Sequence, residues 1–106
     1  MQNIQTPQEL KNRLDQKNPN DILLDVRTPQ EFNEGHILEA TNFNISSFDV
    51  INQIQKLDKT KTYIVYCRSG GRSQMAAMIM AQNGLNVINC QFGFMHLDGT
   101  DLEISS

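Results

Sequence analysis

The sequence predicts an α/β domain with a central, mostly parallel β-sheet and helices on both faces. Three observations carry that expectation. Short apolar runs without polar alternation, Ile22-Leu23-Leu24 and Tyr63-Ile64-Val65-Tyr66, suit strands buried on both faces. Between them lie segments with helical spacing, bounded by start and stop residues. The chain has 106 residues, no repeat and no low-complexity linker, so residues 1–106 are read as a single domain.

Each element follows in order. Thr6-Pro7-Gln8-Glu9 reads as a helix start: Thr6 can cap, Pro7 suits the first helical position and Glu9 can reach back as in a capping box. Leu10 and Leu14 then share one face, and Asn18-Pro19 ends the helix. Ile22 to Leu24, with Val26 beyond Asp25, is the first strand. Pro29 to Glu34 reads as a short helix stopped at Gly35, and Phe43 to Ile45 as a brief strand. Phe48, Ile51, Ile54 and Leu57 recur at helical intervals and predict a third helix. Tyr63 to Tyr66 is the strongest strand, rich in aromatic and β-branched residues. A polar, glycine-bearing loop runs from Cys67 to Arg72. Ser73 to Gln82 is a helix rich in Met and Ala, with Asn83-Gly84 as its left-handed stop. Met75, Met78 and Met80 are expected to pack the core from it. Leu85 to Cys90 is a further strand, and the tail beyond carries no clear signal.

Composition narrows the function. The formal net charge is −3, whereas nucleic-acid and anionic-membrane binders need a basic surface. No apolar stretch approaches the roughly 20 residues that span a bilayer, and Met1 to Pro7 lacks a secretion signal. The 2 cysteines, Cys67 and Cys90, form neither a disulfide framework nor a metal-ligand spacing. A cytoplasmic monomer with reduced thiols is therefore expected, with no nucleic-acid or membrane partner.

The chemistry concentrates where a strand ends in Cys67 and a helix begins. A cysteine there sits at the sheet edge where open α/β folds place their ligands. The following helix turns its unpaired N–H groups and positive dipole end toward the loop. Gly70 and Gly71 allow a tight turn whose N–H groups face inward as an anion-binding nest, and Arg68 and Arg72 add positive charge. An ordinary cysteine titrates near pH 8.5, so only about 3% is thiolate at pH 7, and each further tenfold requires about 1.4 kcal/mol of differential stabilisation. A helix end contributes about 0.3–2 kcal/mol; loop N–H groups and two guanidinium groups are expected to supply the rest. Cys67 is therefore expected to be an activated thiolate that needs no histidine base. The plainer alternative, a buried structural thiol, has no use for the glycines and arginines around it.

Cys67-Arg68-Ser69-Gly70-Gly71-Arg72-Ser73 resembles the active-site loop of the rhodanese family, and Asp25-Val26-Arg27, Glu31-Phe32 and Gly35-His36-Ile37 resemble its upstream motif at matching spacing. Ala40 and Asn42 continue the match, and the resemblance extends from Ile4 to about Asp98. It implies a rhodanese-like fold whose loop, Arg68 to Ser73, cradles the Cys67 sulfur. Four residues separate Cys67 from Arg72, as in sulfurtransferase members; related phosphatases and arsenate reductases carry one more, which makes a wider cradle. The implied reaction moves a sulfane sulfur from a donor such as thiosulfate to cyanide or a thiol through a Cys67 persulfide, without metal or organic cofactor. The implied partners are a small-molecule donor and acceptor or a sulfur-relay protein. The competing expectation is a rhodanese-like sulfur carrier or binding module without thiosulfate turnover.

The supporting residues have plainer roles beside sharper ones. Asp25 and Arg27 brace a turn or hold loop backbone. Glu31 pairs with Arg72 or faces solvent; its negative charge argues against strong use of anionic thiosulfate. His36 is expected to pack and hydrogen-bond rather than act as a base, and His96 to be superficial. Cys90 is expected to be a buried small hydrophobe, with a resolving thiol as the alternative. The sequence departs from the family pattern near its end, where Phe92-Gly93 and Leu97 replace a glycine pair and a tryptophan, and at Asn44, where proline is common.

Overall fold

The structure, a computed structural model, describes residues 2–106. Five strands form the main sheet in the order β1-β6-β5-β2-β4, every neighbouring pair parallel. They are β1 (Gln2–Ile4), β2 (Asp21–Asp25), β4 (Thr41–Asn42), β5 (Thr62–Tyr66) and β6 (Asn86–Cys90). Four α-helices intervene: α1 (Pro7–Asp15), α2 (Pro29–Glu34), α3 (Val50–Gln55) and α4 (Gly71–Gln82). Two short strands, β3 (His36–Ile37) and β7 (Ile104–Ser105), pair antiparallel in a separate ribbon. The expected α/β architecture is thus present.

The sheet is buried on both faces, as its unalternated strands require. Leu24, Val26, Tyr63, Val65 and Val87 face one core with Ile54 of α3 and Ala76, Ala77 and Met80 of α4. Leu23, Ile64, Tyr66 and Ile88 face the other with Leu10 of α1, Ile37 and the C-terminal Phe92 and Leu97. The central strand β5 lies between β2 and β6, with Tyr66 level with Asp25 and Val65 level with Asn89. The carboxyl ends of these strands are therefore aligned, and the loops leaving them converge.

The tetrapeptide Thr-Pro-Gln-Glu occurs twice and starts a helix both times. At α1, Thr6 Oγ1 accepts from the Glu9 amide at 3.2 Å, while the Glu9 carboxylate reaches the Gln5 amide at 3.4 Å. At α2 the capping box is complete: Thr28 Oγ1 accepts from the Glu31 amide, and Glu31 Oε1 accepts from the Thr28 amide at 3.2 Å. That cap fixes Glu31 before any other partner is considered.

Several expectations need correction. The edge strand after α2 is Thr41–Asn42 rather than 43–45, although Phe43 and Ile45 continue the contact through amides bonded to the Asp25 and Val26 carbonyls. The third helix is short: Ile54 is buried, but Phe48 precedes it and is fully exposed, because a turn around Ser47 delays helical geometry until Val50. Helix α4 begins at Gly71, two residues earlier than read. Of its methionines only Met80 enters the core, whereas Met75 and Met78 are exposed. They lie five and two residues from Met80, off the face that Ala76, Ala77 and Met80 share. Strands β1 and β7 went unread, because each is two or three residues long and buries at most one side chain.

One buried ion pair closes the end of β2. Arg27 donates from its backbone and Nε to Asp25 Oδ1 at 3.0 and 2.9 Å, and from its terminal nitrogen to Oδ2 at 2.6 Å. The same nitrogen donates to the Gly35 carbonyl at 2.6 Å, and the guanidinium carbon lies 4.3 Å from the Phe94 ring centroid. Asp25 is 0% and Arg27 4% exposed, so neither charge has water to fall back on. Asp25→Ala should therefore destabilise the fold by about 3–5 kcal/mol in urea unfolding, while the apolar double replacement Asp25→Leu/Arg27→Met should recover part of that loss.

Candidate active site

Cys67 follows the last residue of β5, as expected, and its sulfur accepts a hydrogen bond from the Gly70 amide at 3.0 Å. The turn that aims this amide is unusual: Gly70 has φ 107°, a left-handed conformation that side chains resist. A Cβ there would also lie 3.3 Å from the Gln91 carbonyl oxygen. Gly71 is different. It is the first residue of α4, with ordinary φ and open space where a Cβ would point. The expectation that both glycines shape the turn holds for Gly70 alone.

Burial is the largest influence on the Cys67 thiol and pushes its pKa up. The Ser73 amide and hydroxyl, then the Gly70 and Ser69 amides, outweigh it, and the thiol titrates below its ordinary value. The Ser73 hydroxyl has one proton, directed at the Gly70 carbonyl at 3.1 Å; its rotor can turn to the sulfur when that becomes charged. The stabilisation thus comes from backbone amides and a buried serine at the start of α4, with no histidine adjacent to the sulfur.

Accessibility departs from expectation. Cys67 lies at the sheet edge where open α/β folds place their ligands, as read, but the residue is 1% exposed. The loop that follows is more open, with Arg68, Ser69 and Gly71 exposed and Gly70 half-buried.

The arginines divide. Arg72 forms a bidentate pair with Glu31, at 2.7 Å to Oε1 and 2.9 Å to Oε2. Glu31 is consequently held down to about 2, by the Arg72 hydrogen bonds first and, against the opposing effect of burial, by the Thr28 amide and hydroxyl. Of the two roles read for Glu31, the structure selects pairing. Arg68 is exposed, with no ion pair among the described residues.

Asp25 and Arg27 brace rather than touch the sulfur, although Arg27 reaches the wall of a cleft beside the loop. Asn42 completes the brace by donating to the Asp25 and Arg27 carbonyls at 3.1 and 2.9 Å. His36 stacks on Phe32 with centroids 3.7 Å apart, and its Nδ1 donates to the Phe32 carbonyl at 2.8 Å, a packing role. His96 is exposed, as read, but its Nδ1 accepts from the Gly93 amide at 3.0 Å. Cys90 is fully buried, and its thiol is pushed up to about 12, chiefly by burial and further by the charge of Cys67. Cys90 packs in the core with Ile64 and Tyr66, whereas Cys67 packs in the core with Val65. Of the two roles read for Cys90, its full burial fits the small hydrophobe.

The backing behind the loop comes from the C-terminal segment, whose local pattern is weak. The Phe94 amide donates to the Cys67 carbonyl at 2.8 Å, and the Met95 amide to the Arg68 carbonyl at 3.1 Å. Gly93 passes so close that a Cβ there would overlap the Arg68 carbonyl. The only legible trace was a glycine among large apolar residues. Among the described residues, no three His, Cys, Asp or Glu side chains are grouped to hold a metal ion.

The two glycines supply a paired test. Gly70→Ala should lower Cys67 reactivity toward an alkylating reagent at neutral pH by about tenfold or more, because the amide can no longer face the sulfur without strain. Gly71→Ala should leave that reactivity within about twofold and stabilise α4 by roughly 0.5–1 kcal/mol, read by thermal unfolding.

Known proteins are similar to this chain in sequence and fold. A family model for the rhodanese-like domain matches residues 6–97. The putative sulfurtransferase YtwF of Bacillus subtilis is 34% identical over 77 residues, covering 73% of each chain. The tRNA sulfurtransferase of Actinobacillus succinogenes is 35% identical over 69 residues, which are 63% of this chain but 14% of that enzyme. The crystal structure of a rhodanese-like domain protein from Staphylococcus aureus superposes over all of both chains, with a TM-score of 0.80 and 32% identity. A Staphylococcus saprophyticus protein covers 97% of this chain and 99% of its own, with a TM-score of 0.82 and 30% identity. A single parallel sheet that delivers a cysteine into a ring of amides, together with a family match over almost its whole length, establishes that this chain belongs to the rhodanese-like domain family.

Proposed function

We propose that this protein is a sulfurtransferase that carries a sulfane sulfur as a persulfide on Cys67. The observation that carries the proposal is the Gly70 amide at 3.0 Å from a sulfur whose pKa lies below the ordinary value. The family and the relatives named as sulfurtransferases support sulfur transfer in general; the persulfide, its donor and its acceptor are inferences from the site.

The chemistry is a double displacement. The Cys67 thiolate attacks the outer sulfur of the donor, a new S–S bond forms, and the donor's own bond to that sulfur breaks. With thiosulfate the departing pair leaves on sulfite; with an organic persulfide it leaves on a thiolate, which takes up the persulfide proton. The persulfide anion on Cys67 is held by the amides that held the thiolate, so one electrostatic device serves both states. An acceptor nucleophile then takes the outer sulfur and returns the thiolate: cyanide leaves as thiocyanate, and a thiol leaves as a persulfide. Ser69, Gly70 and Ser73 stabilise the sulfur charge, and Arg68 offers an exposed cation at the entrance.

One observation favours the rival, a rhodanese-like binding module without turnover: Cys67 is 1% exposed. Intact-mass measurement separates the two. Incubation with thiosulfate or cysteine persulfide should add one sulfur atom, and cyanide should remove it with release of thiocyanate. Cys67→Ser should show neither event. A wild-type protein that gains no mass from either donor would establish the binding module instead. Independently, the alkylation rate of Cys67 should rise with pH to a plateau whose midpoint lies below that of free cysteine, because the folded site favours the charged form.

A further inference from the structure

The cleft beside the sulfur loop, about 330 Å³ in volume, is bounded by Arg27, Glu31, Glu34 and Arg68, with Phe94 and Met95 as its apolar wall. Its charge is balanced in a particular way. Arg27 is compensated by the buried Asp25, and Arg72 by Glu31. What remains uncompensated is the exposed cation of Arg68 and the exposed carboxylate of Glu34 on the same cleft. Two of the three guanidinium groups around the site therefore present no net charge to an incoming molecule.

This matters for the donor. Thiosulfate brings two negative charges toward a thiolate and needs a positive field on the way in. An organic persulfide brings at most one on its reacting sulfurs, together with a carbon chain that Phe94 and Met95 can contact. We propose that Glu31 is a specificity-determining residue: by engaging both terminal nitrogens of Arg72 it removes the cation that would recruit a dianionic donor, and it sets the site for alkyl persulfides. This rests on the sulfur-transfer proposal. Glu31 suits the task because its carboxylate is anchored twice, at the α2 cap through Thr28 and on Arg72, so it does not swing aside when an anion arrives. Neither group changes charge at neutral pH, so the filter is permanent rather than switchable.

The test compares second-order rate constants for sulfur loading from thiosulfate and from cysteine persulfide, read by intact mass. Wild type should favour the persulfide. Glu31→Gln keeps an N3 residue able to complete the α2 cap but frees the charge of Arg72. It should raise the thiosulfate-to-persulfide ratio by about tenfold, the low end of what a local field contributes to anion capture. The gain should shrink as salt rises, and the double variant Glu31→Gln/Arg72→Gln should lose it. A purely structural role for Glu31 would lower both rates together and leave the ratio unmoved, which overturns the inference. If Glu31→Gln does not fold, the salt response of wild type decides. A thiosulfate rate that falls steeply with salt indicates an attractive field and overturns the proposal; a flat or rising rate supports it. Loading of wild type from neither donor would instead refute sulfur transfer itself, a different and distinguishable failure.

Discussion

The site depends on one backbone amide pointing at one sulfur. The Gly70 N–H meets Cys67 only because the chain turns through a left-handed conformation immediately after a buried strand and immediately before a helix. A thiolate in a location 1% exposed would otherwise be penalised by lost solvation, and burial does push the thiol up. The amides at the start of α4 replace the lost water, at fixed positions and with no side-chain entropy to lose. Because they belong to the backbone, their positions do not depend on a side-chain rotamer, and the proposed persulfide would meet the same amides as the thiolate.

The rest of the molecule holds that turn still. From behind, the 93–95 segment donates two amides to the carbonyls of Cys67 and Arg68, and Gly93 permits the approach. From the side, the Asp25–Arg27 pair ties the end of β2 to the Gly35 carbonyl and to Phe94. Phe94 thus stands between the buried ion pair and the loop backing, linking two supports that are far apart in sequence. A buried ion pair is weak evidence of net stabilisation. Its geometric consequence is clearer: it closes the end of β2 beside the cleft that Arg68 of the Cys67 loop also lines.

Glu31 connects local and tertiary structure. Its capping role is fixed by neighbours three residues away, and its pairing role by Arg72, 41 positions later. One carboxylate oxygen serves both, which couples the entry of α2 to the charge of the sulfur loop. The fold places these groups together without a hinge: three aligned parallel strands end at one edge, and the loops after β2 and β5 meet there. Sequence reasoning missed Asn42 as a brace and Phe94 as a cover. Asn42 was seen only as part of a motif, and an aromatic residue in an unpatterned tail carries no local sign of what it will stack upon.

The amino-acid sequence alone determined the α/β class, the strand-to-helix junction at Cys67 with its glycine-bearing loop, the helix start at Thr6-Pro7-Gln8-Glu9 and the short helix from Pro29. Each rests on chain-local physics: unalternated apolar runs, caps, and a strand-to-helix junction. Tertiary structure decided which glycine makes the turn, that Glu31 neutralises Arg72, that Cys90 and Cys67 pack in different cores, and that Cys67 is buried. These depend on distances between segments far apart in the chain, and on which face of the sheet each side chain takes, so no local pattern could encode them.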